Sequence, residues 1–283
     1  MSDQLHVLDI PTIAPTGCDV RYAITFGEVA ILHVGGQEYG SGRRTNGYSV
    51  LELHQIAENL NRIHSLDIAK VISVSSALPD HLKDSSTDAA VLVIRGGAHI
   101  IGGICADSLL AEQRNVDYDK QFYDNRRKKT LHKRARYNIV FSSSAATDVP
   151  HSEDYRQCSI ASFNSLPNLS QFREGLVETL GETHASNLEA EGNCYYNKTS
   201  GIGYHGDSER KVVICLSLGK PTVLRYHWRL PGSSEHTLQP IDINIGHGDV
   251  YVMSEKATGY DWRMRSKVRV VHAAGSSKYT ASK

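Results

Sequence analysis

The chain has 283 residues, 40% hydrophobic and 22% charged, which supports a sizeable buried core and excludes a disordered chain. Lys plus Arg and Asp plus Glu both number 31, so a uniformly basic coat is excluded, although a local basic patch is not. Five cysteines (Cys18, Cys105, Cys158, Cys194 and Cys215) stand far apart with no CxxC pair, which argues against a disulfide framework or structural zinc. That usage fits a reducing interior, cytoplasmic or nuclear.

The opening MSDQLHVLDIP lacks the basic stretch and apolar run of a secretory leader, so none is expected. Tyr22–Thr25, Val29–Val34 and Ala90–Ile94 are β-type runs. Gly40 to Arg44 reads as a flexible basic loop without the Walker pattern. Ser49–His64 places Val50, Leu51, Leu53, Ile56, Leu60 and Ile63 near helical spacing and predicts a helix. The longest apolar stretch, Ala89 to Cys105, is broken by Arg95, His99 and four glycines. It is no membrane span and reads as a strand, a Gly-Gly turn and a second strand. Residues 106–136 are polar, helical at first and then strongly basic. The run 126–136 (RRKKTLHKRAR) holds seven Lys/Arg in eleven positions. It suits phosphate tracking, a solvated basic helix face or a nuclear-targeting run. Residues 143–157 read as a loop, and Leu169–Leu180 as a helix entered from Pro167. From Gly192 onward, short strands such as Val212–Leu218, Val223–Trp228, Asp249–Met253 and Val268–His272 alternate with Gly, Pro, Ser and Asp. That spacing suggests a closed or double-sheet β structure.

In Tyr204-His205-Gly206-Asp207, the histidine and the aspartate are two positions apart, and on a strand they share a face. A second histidine from elsewhere would complete a 2-His-1-carboxylate set with positions open on Fe(II). His272, ending the apolar run Val268–Val271, is the best candidate. His247 in Gly246-His247-Gly248-Asp249 forms a competing HxD, but its flanking glycines look like a hairpin turn.

The segments NCYYNKTSGIGYHGDSE, VVICLSLGKP, INIGHGDVYVMS and VRVVHAAG resemble, in that order, the AlkB family of 2-oxoglutarate dioxygenases. The resemblance covers about residues 190–283. It implies an α+β protein with a double-stranded β-helix (jelly-roll) core, helices outside and an N-terminal α/β extension. The expected division is an extension over 1–125 and an oxygenase domain over 126–283. It also implies roles. Fe(II) would be held by His205, Asp207 and His272, with 2-oxoglutarate and O2 as co-substrates and Asn193 and Tyr195 bonded to 2-oxoglutarate. Glu209, with Arg210, would face the substrate, and the implied substrate is a nucleobase in DNA or RNA.

A cation must meet the distal carboxylate of 2-oxoglutarate. In the family it is an arginine on the last strand, within an Arg-Tyr-Asn-type sequence. Only eleven residues follow His272 here, and Lys278 is the nearest match at a shorter spacing. Arg134-Ala135-Arg136-Tyr137-Asn138-Ile139 is the closer match, which makes Arg136 the second candidate and implies a permuted strand order. The long segment between Asp249 and His272 reads as an inserted loop whose Trp262 forms a substrate lid. Tyr204, Tyr226 and Trp228 are further candidates to stack on an extruded base. Two other functions stay open at this point: a hydroxylase of protein side chains or small molecules on the same iron core, and a binding module with a vestigial metal site.

Overall fold

β1 (Arg21–Gly27), the first strand among the described residues, lies near the middle of an eight-stranded sheet, far from its neighbours in sequence. In this computed structural model the described residues are 19–30, 38–39, 46–233 and 238–281. The strand expected over Val29–Val34 lies partly outside them, as do Cys18 and the Gly40–Arg44 loop.

After β1 come a short pair, β2 (Val29–Ala30) and β3 (Glu38–Tyr39), then α1 (Val50–His64). Ser49 and Glu52 cap α1 reciprocally, each accepting the other's backbone N–H. Leu53, Ala57 and Leu60 form its buried stripe. Leu51, 67% exposed, is turned about 200° from Leu53 at 3.6 residues per turn, and Ile63 is also exposed, which corrects the wider stripe expected. β4 (Ala69–Ser73) and β5 (Ala90–Ile94) follow.

The second strand expected after β5 is instead α2 (Gly97–Gly102), entered through the left-handed Gly96. A Cβ on Gly97 would lie 2.7 Å from Val250 side-chain atoms, so the glycine lets the helix start against the sheet. α3 (Ala106–Arg114) precedes a hairpin of β6 (Gln121–Asp124) and β7 (Lys129–His132), which places the basic run on a β-turn rather than a helix face. Next are β8 (Tyr137–Ser142), β9 (Ile160–Ser162), α4 (Pro167–Leu180) and α5 (Glu182–Ala185). The remainder is β10 (Glu189–Tyr195), β11 (Gly201–His205), β12 (Val213–Gly219), β13 (Thr222–Arg229), β14 (Ile241–Ile245), β15 (Val250–Met253), β16 (Arg269–Gly275) and α6 (Ser277–Thr280).

The large sheet runs β4-β5-β15-β12-β1-β10-β8-β9, antiparallel except between β8 and β9. The small sheet runs β11-β16-β13-β14. Alternation on β1 separates two layers of packing. Tyr22, Ile24 and Phe26 face the helices and join a core with Leu53, Leu109 and Phe172. The opposite face of the large sheet, including Val91, Val93, Val213 and Met253, packs on Leu224, Tyr226 and Trp228 of the small sheet. The result is helices on a sheet on a sheet, a mixed α+β arrangement. The expected boundary between 125 and 126 is not followed: β1, β4 and β5 are strands of the same sheet as β10, β12 and β15. The first third of the chain builds the core.

Candidate metal centre

His205 ends β11, and His272 is its direct cross-strand partner on β16. Asp207 follows two residues on, its N–H bonded to the Thr258 carbonyl at 2.9 Å. Side-chain ligand atoms of the three all lie within 4.8 Å of one another. His205 Nε2 is 3.5 Å from one carboxylate oxygen of Asp207, and His272 Nε2 is 3.9 Å from the other. His205 Nδ1 lies 2.8 Å from the Gly203 carbonyl, so an N–H there donates to it and leaves Nε2 as a lone-pair donor.

The electrostatics suit a cation. Burial raises the Asp207 carboxyl, but the neighbouring His205 and His272 rings and the Arg210 guanidinium outweigh it and hold it well below the usual carboxylate range. Burial, aided by His205, pushes His272 down to about 3, so it is a neutral imidazole ready to ligate. Two imidazoles and a carboxylate on one face, with the fourth side open to a cavity, fit a divalent iron with vacant positions.

That cavity, roughly 130 Å³, lies between the sheets. Along β10, Glu191, Asn193 and Tyr195 alternate onto its wall. Arg136 donates from Nε to Asn193 Oδ1 at 2.5 Å, which leaves the Asn193 amide N–H groups for a ligand. Glu209 and Arg210 also line it. Arg210 is buried and ion-paired to Glu191 through Nη2. Burial raises the Glu191 carboxyl, and Arg210 and Arg136 outweigh this, so its net shift is downward.

At the far end of the cavity sits Arg21, 6% exposed, with its guanidinium 3.9 Å from the centre of the Tyr195 ring. Its Nη2 is buried and has no hydrogen-bond partner among the described residues. A buried unpaired guanidinium is costly unless an anion joins it. Arg21 and Glu191 are the two site residues that sequence reasoning missed. Arg21-Tyr22 matches the start of the family's Arg-Tyr-Asn sequence, and period-two reading back from Asn193 reaches Glu191.

Other expectations need correction. Lys278 is exposed on α6 and lies outside the cavity, its Nζ over the Tyr279 ring instead. The Arg136 strand does pair into the sheet, as β8 against β10, but the strand between β10 and β12 is β1. Trp262 does not line the cavity. It packs behind the HxD turn, donating from Nε1 to Ser208 at 2.8 Å, so its loop supports the metal ligands rather than forming a lid. Trp228 is fully buried and donates to the Val74 carbonyl, Tyr226 packs in the same core, and Tyr204 donates to the Thr280 carbonyl. None of the three is a cavity wall that could stack on a base. His247 is structural as expected: its Nδ1 accepts from the Gly219 N–H at 2.9 Å. A larger cleft of about 550 Å³ shares Arg21 and Tyr195 but contains none of the three ligands, so the chemistry belongs to the smaller one.

The site is therefore that of a mononuclear non-haem iron oxygenase. The chain belongs to the 2OG-Fe(II) oxygenase superfamily, whose family model matches residues 107–260. It is also similar to "Uncharacterized protein R156" of Acanthamoeba polyphaga mimivirus, at 32% identity over 260 residues, which cover 90% of this chain and 96% of that protein. The protein is a 2-oxoglutarate-dependent dioxygenase using Fe(II), 2-oxoglutarate and O2. Membership removes the reading as a binding module with a vestigial metal site. Among the described residues, no helix is long and apolar enough to cross a membrane, and no disulfide joins Cys105, Cys158, Cys194 or Cys215.

Proposed function

We propose that the chain is an AlkB-like oxygenase that oxidises a nucleobase in DNA or RNA, demethylating or hydroxylating it. In this reading the facing sheets form a double-stranded β-helix. His205, Asp207 and His272 hold Fe(II), and Asn193, Tyr195 and Arg21 hold 2-oxoglutarate. Bound iron would supply the chemistry by which O2 gives one oxygen atom to 2-oxoglutarate, leaving succinate and CO2, and the other to a substrate C–H.

The protein's own groups do the rest. Arg21 meets the distal carboxylate at the cavity floor, a role supported by its burial and its unpartnered Nη2. Arg136 fixes the Asn193 amide so that its N–H groups face the co-substrate. Arg210 keeps Asp207 anionic. Val213, Leu224 and Met253 give the cavity a water-excluding side. The family's clamp arginine lies on its last strand and Arg21 on the first described strand of this chain, so the strand order is permuted.

The observation that carries the nucleic-acid substrate is the β6–β7 hairpin. Its turn holds Arg126, Arg127, Lys128 and Lys129, all exposed, and its return leg delivers Arg136 to the cavity wall. The absence of aromatic stacking groups among the four expected favours a second substrate class, a polar protein side chain or small molecule. One assay separates the two. The Fe(II)-loaded protein is incubated with 2-oxoglutarate and methylated oligonucleotides, with a His205→Ala control. Formaldehyde or hydroxylated base together with succinate is expected. Succinate without oligonucleotide turnover points to the second class.

A further inference from the structure

The seven cations of 126–136 fall into different surroundings. Arg126, Arg127, Lys128 and Lys129 are exposed at the hairpin turn. Lys133 and Arg136 are half-buried on the segment returning to β8, and the Lys133 N–H closes the hairpin base on the Lys120 carbonyl at 2.9 Å. At the cavity, Arg210 is neutralised by Glu191, and Arg21 lies at the opposite end. Arg136 differs from both. Its Nε bonds the neutral Asn193 amide, and no carboxylate forms an ion pair with it among the described residues. Its Nη groups are thus a partly desolvated fork at the edge of the iron cavity, within the field of Glu191 but with no carboxylate in contact. Lys133 adds positive potential beside it, its Nζ meeting another neutral amide, Asn138 Oδ1, at 2.5 Å.

We propose that Arg136 grips a backbone phosphate of the strand that presents the target base, while the Arg126–Lys129 turn holds a phosphate further along that strand. This rests on the nucleic-acid reading. A planar guanidinium matches phosphate oxygens in pairs, and partial burial strengthens the contact relative to an exposed lysine. Seven residue steps, from Lys129 to Arg136, separate the two points, at most about 23 Å at 3.3 Å per residue, or roughly seven nucleotides at 3.4 Å per strand. Because Arg21 meets the co-substrate carboxylate, Arg136 is left for the substrate.

The test uses the full chain loaded with Mn(II) and 2-oxoglutarate, and anisotropy of a short labelled single-stranded oligonucleotide across a salt series. Arg136→Gln should lower the slope of log K against log salt by about 0.7, the increment for one phosphate on a single strand. Affinity should fall about tenfold or more at low salt. Arg136→Lys should keep the slope, and Arg127→Gln should lower it without touching the cavity. The affinity for 2-oxoglutarate should stay at the wild-type value in Arg127→Gln and fall only modestly in Arg136→Gln, where Asn193 loses its anchor. An unchanged slope in Arg136→Gln overturns the proposal, and a lost 2-oxoglutarate affinity alongside it returns Arg136 to the co-substrate. Failure of the wild type to bind any oligonucleotide at low salt, with 2-oxoglutarate still bound, overturns the nucleic-acid reading itself.

Discussion

The Arg21 guanidinium lies 3.9 Å over the Tyr195 ring, in direct register across β1 and β10, although 174 positions separate them in the chain. The stack fixes the plane of the arginine at the cavity floor, and burial keeps it dry. The opposite end holds the three metal ligands, so a dicarboxylate that chelates iron at one end meets a fixed cation at the other.

Removing that cation should therefore act on the co-substrate. Arg21→Ala should raise the 2-oxoglutarate KM by about thirtyfold or more, since truncating one partner of a buried hydrogen-bonded charge pair costs roughly 2–5 kcal/mol. Metal affinity should hold near the wild-type value. Anaerobic titration of the metal-loaded protein with 2-oxoglutarate, followed by the charge-transfer absorption, reads the first quantity. Equal 2-oxoglutarate affinity in wild type and variant would remove Arg21 from the clamp.

How far the sequence revealed this site depends on the range of each contact. The triad was legible because HxD on a strand is a local pattern and His272 closes an apolar run beside it. α1 was legible from periodicity and its Ser49–Glu52 box. Arg21 was not, because RYAITFG by itself says only strand; its insertion between β10 and β12 is a non-local pairing that no window displays. Nearness to His272 in sequence favoured Lys278, which the fold turns outward. Trp262 looked like a lid because the chemistry of a loop does not tell which side of Asp207 it packs on.

Glu191 and Arg210 form an ion pair inside the cavity wall, and each keeps the other from being a lone buried charge. Glu191→Gln should destabilise the fold by roughly 3–5 kcal/mol, the range for breaking a buried pair. Adding Arg210→Met should restore much of that loss, because the stranded charge goes with it. A double-mutant cycle in urea measures the coupling; additive single effects would show that the pair is not energetically linked.

Lys133 gives a pH prediction. Burial lowers its amine from 10.5 to about 8, against the raising effect of Asp119. Between those two values the unfolded chain holds a proton that the folded chain has released, so stability rises with pH across that window. Below about pH 8 the penalty is fully present. Lys133→Met should therefore raise the stability at pH 7, on the order of 1–2 kcal/mol once water access to the amine is allowed for. The gain should shrink as pH climbs from 8 to 10.5. Thermal melts across that range check it, and a pH-independent gain would assign the effect to packing.

Gly206 is the spacer of the HxD motif, and its role is steric. A Cβ there would lie 2.2 Å from the Gly259 carbonyl oxygen and 2.8 Å from Trp262 Cβ. The carbonyl is backbone, held in the turn whose Thr258 carbonyl accepts from Asp207 N–H, so it cannot swing aside as a side-chain tip would. Gly206→Ala must displace either that turn or the HxD strand end, and both carry Asp207 away from His272. Metal affinity should fall at least tenfold while Trp262→Phe, which removes only the 2.8 Å bond to Ser208, changes it little. Competition with a fluorescent chelator gives both affinities. A Gly206→Ala protein that binds metal like the wild type would mean that the turn behind the motif yields, and that Asp207 is positioned by the end of β11 alone.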